Sequence, residues 1–359
     1  MGHKAGDNSQ VLALAEGLGW PYEIKRLVYR RGELLSNLLL GPNLACIVKS
    51  SSSPLTPPWP ELVITAGRRN EPVARWIQRQ AGHRVRIVHL GRPWARPERF
   101  DLIVTTPQYR LPRAPNILHN TLPLHRVNRE RLAAAASRWE PVLAPLPRPR
   151  IALLVGGNSG AYTLDPAKAA VLARQAEAMA RKDGGSLLVT TSARTPASAA
   201  DILATMAAPM HFHRWRPREG DNPYFGYLAC ADAFIVTGDS VSMLAEACAT
   251  GKPVHVFDLA DGPRAHRPGR AGKLPWWCHA YNYRFRPLSH RLGMALGPRR
   301  MVRDVGNMHR FLIEQGRIAW LGESCGQPAQ PAEDTDLARA VEAVRALFQK
   351  KGEDRRHSP

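Results

Sequence analysis

The chain has 359 residues, enough for two ordinary domains at roughly 100–200 residues each. It is 44% hydrophobic and 22% charged, the composition of a globular protein with packed cores, and no stretch reaches the ~18 apolar residues of a membrane-spanning helix. The 50 basic and 30 acidic residues leave a net charge of +20, a general attraction to polyanions. No RNP, zinc-finger or helix-turn-helix pattern accompanies it, so no specific nucleic-acid partner is expected.

The opening "MGHKAGDNSQ" has no apolar h-region and is not read as a signal peptide. Cys46, Cys230, Cys248, Cys278 and Cys325 show neither pairing nor metal spacing, which points to a reducing, cytoplasmic compartment. "GHKAGDNSQ" runs straight into the helical "VLALAEGLGW", where a doubly wound domain is expected to open on a strand. Either the first strand of this half is missing or the true start lies upstream.

Strands are expected at "ACIVKS" (45–50), "ELVITAG" (61–67), "RVRIVHL" (84–90) and "DLIVTT" (101–106), with the helix "EPVARWIQRQAG" between the second and third. Such alternation predicts βα units and a mostly parallel sheet. A helical stretch near 129–139 completes a first domain over 1–140. The four prolines of "PVLAPLPRPR" (141–150) then read as an interdomain linker.

The pattern restarts with a strand at "IALLVGG" (151–157). The next helix is capped by Asp165, with Pro166 at its first position. "SLLVTTSART" (186–195) is a strand and loop, and Thr195-Pro196 opens another helix. "DAFIVTG" (232–238) and "KPVHVFDL" (252–259) bracket "GDSVSMLAEACATGKPV". In that segment Glu246 lies one residue beyond the capping-box place counted from Ser242, about one turn into a helix that Gly251 and Pro253 end. The second domain is assigned to 151–322. Residues 323–359 are read as a linker, an amphipathic helix at roughly 335–349 and a disordered tail. The whole is an α/β chain of two Rossmann-like domains.

Open α/β sheets bind ligands at the carboxyl ends of their strands, at the switch point. Three such ends in the second domain carry small polar loops, each leading into a helix. Gly156, Gly157, Asn158 and Ser159 form the first, Thr191, Ser192 and Arg194 the second, and Asp239, Ser240 and Ser242 the third. Backbone N–H groups, a helix N-terminus and an arginine fork suit a nucleotide diphosphate without a metal. A carboxylate one turn into the third helix suits the vicinal hydroxyls of a ribose, the role given to Glu246.

"VTGDSVSMLAEACATGKPV" resembles the donor-nucleotide segment of GT-B glycosyltransferases. More closely, "GDNSQ" (6–10), "ITAGRRNEPVARW" (64–76), "FDLIVTTPQY" (100–109), "LVGGNSG" (154–160) and "NPYFGYLACADAFIVTGDSVSMLAEA" (222–247) resemble the "elongated mitochondria" fission family, over about residues 1–320. Its bacterial members are described as glycosyltransferases and sometimes as sugar epimerases. The resemblance implies a GT-B-type architecture, a nucleotide-sugar donor on the second domain and no metal or other cofactor.

It implies a lipid-linked or anionic cell-envelope glycan as acceptor on the first domain, with Asp7 as the base in preference to His3. Arg68 and Arg69, at a strand end, either meet an anionic acceptor or are solvated at the surface, and His119 and His125 fall near the cleft but are read as packed or capping residues. "DTD" (334–336) is read as a helix cap rather than a metal site. The basic, aromatic "LPWWCHAYNYRFRPLSHRLG" (274–293) suits either an anionic membrane face, giving a peripheral location on the cytoplasmic membrane, or core packing or an interdomain contact. The alternatives to transfer are a sugar-nucleotide epimerase of the same fold and a non-catalytic interaction protein.

Overall fold

The computed structural model describes residues 1–2, 4–30, 41–160, 162–217, 220–260, 296, 303–325 and 335–354. The chain divides into two compact units. Unit 1 comprises Met1–Arg126, Pro298–Asp304 and Glu333–Pro359, and unit 2 comprises Val127–Gly297 and Val305–Ala332. Each is an α/β unit on a parallel sheet, so the fold class is the expected pair of Rossmann-like domains.

In unit 1, α1 (Ala5–Leu18) precedes β1 (Leu62–Ala66), α2 (Gly67–Gln80), β2 (Arg86–Leu90), β3 (Leu102–Thr105) and β4 (Ile117–His119). The sheet runs β1-β2-β3-β4, every pair parallel, with Ile64 beside Val88, His89 beside Ile103 and Val104 beside Leu118. Side-chain alternation along β2 sets the two faces. Val88 packs with Val11, Leu14 and Leu18 of α1, whereas Ile87 packs with Ala74 of α2, Phe100 and Ile103.

The strand expected at 45–50 does not form. Ile47 makes one antiparallel bridge to Tyr29, and Lys49–Ser51 is a 3₁₀ turn. Cys46 and Ile47 are instead buried with Val73 and Ile77 of α2. Among the described residues no strand precedes β1.

The division between units falls after Arg126 rather than at 140, for a packing reason. Next in unit 2 comes α3 (Arg129–Leu143), capped by Asn128, whose side chain accepts from Arg131 N at 2.8 Å. This helix runs on through Pro141 to Leu143, which is fully buried, and 141–150 is not a free linker. The Trp139 ring lies so close to Gly226 that a Cβ there would sit 2.3 Å from it.

Unit 2 continues with β5 (Arg150–Leu154), α4 (Pro166–Lys182), β6 (Ser186–Thr190), α5 (Ala197–Ala204), β7 (Met210–His213), α6 (Tyr224–Cys230), β8 (Ala233–Thr237), α7 (Val241–Cys248), β9 (Val254–Phe257), α8 (Val305–Glu314) and β10 (Ala319–Trp320). Asp165 caps α4 as expected, accepting from Lys168 N at 2.8 Å. The strand order is β10-β9-β8-β5-β6-β7, all parallel. The chain builds β5, β6 and β7 in one direction, then returns to the other side of β5 with β8. The switch point therefore lies between β5 and β8.

The last described helix, α9 (Thr335–Asp354), forms where an amphipathic helix is expected but belongs to unit 1. Ala340 and Val344 join Val11, Leu14 and Val104 in one cluster. Asp336 accepts from the backbone N–H groups of Thr121 at 3.1 Å and Leu122 at 2.8 Å. The helix returns because α1 leaves an apolar face over the sheet that its own length does not cover. Among the described residues no helix is long and apolar enough to cross a membrane. The aromatic stretch 274–293 and His3 lie outside the described residues.

Candidate functional site

At the switch point of unit 2, the loops after β5, β6 and β8 meet. Gly156 N–H donates to Thr237 Oγ1 at 2.7 Å, and Gly157 N–H donates to Asp239 Oδ1 at 3.2 Å. Thr195 Oγ1 donates to Gly156 O at 2.8 Å, and the Ser192 hydroxyl donates to the same carbonyl. Glycine is required at both turn positions. A Cβ on Gly156 would lie 2.5 Å from the Asp239 carboxylate oxygens, and one on Gly157, at φ +126, would lie 2.3 Å from Arg194 O.

The expected diphosphate cradle is filled by the protein itself. Asp239, with a side chain that has no exposed surface, also accepts from Thr237 Oγ1 at 2.8 Å and pairs with Arg194 Nη1 at 2.5 Å. Burial holds the Asp239 carboxyl above the ordinary range, against the opposing pull of Arg194, Thr237 and Gly157. The amides of Gly156 and Gly157 are thus spent inside the loop cluster.

So are several neighbours. Asn158 N–H donates to Arg194 O at 3.0 Å, and its Oδ1 accepts from Leu164 N at 2.9 Å. Ser159 N–H bonds Tyr162 O at 3.0 Å, and Thr191 Oγ1 accepts from Trp215 N at 2.9 Å.

Three features of the cluster remain open to an anion. The Arg194 guanidinium, whose side chain is 37% exposed, reaches Asp239 from outside. Ser240 stands at the start of α7, and no side chain caps that helix. Ser242, half-buried, lies in its first turn. An uncapped helix start carries unsatisfied N–H groups and a positive dipole end.

Glu246 lies five residues beyond Val241, roughly 8 Å along the α7 axis. It is 8% exposed, and Tyr224 donates its hydroxyl to Oε2 at 2.5 Å. Burial, then the adjacent Glu246 charge, raise the Tyr224 phenol well above its ordinary value, so the proton stays on the tyrosine. Glu246 is a held, sheltered carboxylate rather than a solvated one. Thr237 and Tyr224 went unread in the sequence. Their signal was position: one ends β8, and the other opens the short helix before it.

The acceptor-side residues gather in unit 1. Asp7, Arg68 and Arg69 line one small cavity with Lys4, Asn8 and Asn70. Asp7 Oδ2 would lie 2.6 Å from a Cβ on Gly67, whose φ is +75, so the carboxylate sits against the first turn of α2. Arg68 stacks over the Trp94 ring at 4.9 Å. Of the two histidines, His119 is exposed with Nε2 3.2 Å from Pro112 O, and His125 is buried.

The sequence model of the family described as "Mitochondrial fission ELM1" matches residues 5–273, most of this chain. The chain belongs to the mitochondrial fission ELM1 family. Within the ELM1 family it is 32% identical to the Arabidopsis thaliana mitochondrial fission protein ELM1 over 222 residues, covering 55% of this chain. The chain spans 51% of that plant relative's length. An uncharacterized protein of Rickettsia prowazekii is 22% identical over 288 residues, covering 71% of this chain and 80% of its own. Among solved structures, the S. aureus MnaA–UDP complex is similar at a TM-score of 0.48 and 11% identity. It covers 97% of this chain and 95% of the MnaA chain.

Proposed function

We propose that this ELM1-family chain binds a nucleotide-diphosphate sugar at the carboxyl edge of the unit 2 sheet and transfers the sugar to an acceptor, as a GT-B glycosyltransferase. The observation that carries this reading is Glu246: a carboxylate held by Tyr224 on the helix whose uncapped start stands at the switch point. On this reading Arg194 and the start of α7, with Ser240 and Ser242, take the diphosphate, and Glu246 takes the ribose hydroxyls. The positive charge the leaving diphosphate needs comes from Arg194 and the helix dipole, so the transfer is read as metal-independent.

Asp7 is the base assigned to the acceptor hydroxyl. The acceptor is a lipid-linked or anionic cell-envelope glycan, approached from the cytoplasm at the membrane face.

One observation favours a second reading, a non-catalytic interaction protein. The Gly156 and Gly157 amides are satisfied by Thr237 and Asp239, so the cradle is closed as it stands. Isothermal titration with UDP, ADP and GDP and their sugars separates the two. Transfer predicts binding by one nucleoside diphosphate that Glu246→Gln weakens about tenfold or more, the loss of one charge-assisted pair. No binding by any of them overturns the enzymatic reading. Conversion of a nucleotide sugar to its isomer with no acceptor present would replace transfer by epimerisation.

A further inference from the structure

Seven large hydrophobic side chains stand exposed among the described residues. Four of them, Trp20, Tyr22, Ile24 and Val28, fall within one short segment of unit 1. Exposed apolar residues scattered singly need no account, whereas four together do.

Residues 20–30 read "WPYEIKRLVYR". From Ile24 onward the exposure alternates as along a strand. Ile24, Arg26, Val28 and Arg30 are exposed, while Lys25, Leu27 and Tyr29 are half-buried. Leu27 and Tyr29 pack inward with Cys46, Ile47, Val73 and Ile77. The outward face therefore interleaves aliphatic side chains with arginines, and Trp20 and Tyr22 lead into it.

The backbone under this face is already engaged. Arg26 N–H donates to Ser53 Oγ at 2.9 Å, and Ser53 N–H donates to Arg26 O at 2.8 Å. Val28 N–H donates to Ser52 Oγ at 2.9 Å, Val48 N–H to Val28 O at 2.8 Å and Arg30 N–H to Cys46 O at 3.0 Å. On the other edge Leu27 N–H donates to Met1 O at 2.9 Å. What a partner meets is the side-chain face.

That face is positive. Glu23 is the one acid of the segment, and Lys25 Nζ holds it at 2.6 Å. Among the described residues no acid pairs with Arg26 or Arg30, and Arg30 Nε is braced on Ile47 O at 3.2 Å. At the other end, Trp20 meets the Phe348 ring edge-on at 5.2 Å, and Arg86 lies over Phe348 at 5.6 Å. The exposed Arg345 donates to Leu18 O at 3.2 Å. Cations thus stand at both ends of the apolar stretch.

We propose that this face of unit 1 docks on the headgroup layer of an anionic lipid bilayer, with Trp20, Tyr22, Ile24 and Val28 entering to the acyl boundary and Arg26, Arg30 and Arg345 level with the lipid phosphates. Indole and phenol rings suit that depth because one end is apolar and the other wet. Arginine stems lie along the apolar layer while their heads reach the phosphates. The net charge of +20 draws the chain to such a surface, and the apolar stripe selects the face that lands. A peptide partner takes a groove or a free strand edge. Here the backbone is engaged, and the small cavity of unit 1 lies on the inward side, where Tyr29 lines it. In role the surface rests on the transfer reading, where it brings the chain to a membrane-borne acceptor; in measurement it stands alone.

The test is flotation of the full chain with vesicles of phosphatidylcholine, with and without phosphatidylglycerol. The wild type is expected to bind the anionic vesicles about tenfold or more tightly than the neutral ones. Tyr22→Ser/Ile24→Ser keeps every charge and is expected to weaken that binding about tenfold or more, as is Arg26→Gln/Arg30→Gln. Val142→Ser, at an exposed apolar residue of unit 2, is expected to bind as the wild type does. Circular dichroism confirms the fold of each variant.

Adsorption through net charge alone leaves Tyr22→Ser/Ile24→Ser unaffected, and that result overturns the proposal. So do absent flotation, equal binding to both vesicle types and an equal loss in Val142→Ser. Self-association in sedimentation velocity that Tyr22→Ser/Ile24→Ser abolishes, with no vesicle binding, gives the face to a second copy of the chain and overturns it as well. Failure of the nucleotide reading shows separately, as no response to nucleoside diphosphates while flotation still succeeds.

Discussion

Arg194 Nη1 lies 2.5 Å from Asp239 Oδ2, and the carboxylate it meets is sealed beneath the glycine turn. That turn depends on the same carboxylate, since Gly157 N–H donates to its other oxygen at 3.2 Å. Asp239→Asn removes the charge and keeps the shape. It is expected to cost about 1–3 kcal/mol in urea unfolding, below the full cost of breaking a buried pair because Arg194 is partly exposed and can turn to water. The same variant is expected to bind nucleoside diphosphate more tightly, because the carboxylate that repels the ligand and occupies Arg194 is gone. Weaker binding would place Asp239 among the ligand's own contacts.

His89 gives the fold an acid-sensitive point. It is fully buried on β2, and burial pushes its imidazole down to about 3. The native state holds it neutral while the unfolded chain protonates it near 6.5, so unfolding takes up a proton below that value. Stability is present in full above pH 6.5 and falls as the pH drops toward about 3, by up to about 1.4 kcal/mol per pH unit from this group. His89→Leu is expected to flatten that limb in a pH series of urea midpoints. An unchanged slope would assign the acid sensitivity elsewhere.

Gly226 lets α6 touch α3. A methyl group there meets the Trp139 ring at 2.3 Å, and Gly226→Ala is expected to destabilise by about 1–3 kcal/mol through overpacking. Hydrogen exchange should quicken in residues 129–143 and 224–230 and stay unchanged in β1–β4. Faster exchange throughout unit 1 would restore α3 to the first domain.

Asp336 fastens α9 to unit 1. Asp336→Ala strands the buried N–H of Leu122 and the partly buried one of Thr121, and a loss of about 1–3 kcal/mol is expected. Exchange at 121 and 122 should rise together with that of α1. Protection at those amides unchanged from wild type would mean that α9 is held by its apolar face alone.

β1, β2, β3, β5, β6, β8 and β9 were legible because each is a short apolar run between turn residues, and the α4 start because Asp165 and Pro166 are local signals; the short edge strands β4, β7 and β10 were not read. What escaped depends on partners distant in sequence. Four prolines after Trp139 read as a linker, yet a proline late in α3 costs less than the burial of Leu143 and the Trp139–Gly226 contact return. "ACIV" reads as a strand, but its two buried residues found α2 before any strand edge.

In the site, the three loops were correctly drawn to one edge, while the use of the glycine amides was not foreseen. The warning was present: an acid, Asp239, stands among residues assigned to a diphosphate, and only a cation beside it, such as Arg194, makes that tolerable.

The return of α9 to α1 has a consequence during synthesis. The apolar face of α1 stays open until the ribosome has passed residue 344, long after β4 has emerged. Unit 2, although second in the sequence, can therefore finish folding first, and the N-terminal sheet is the part that waits.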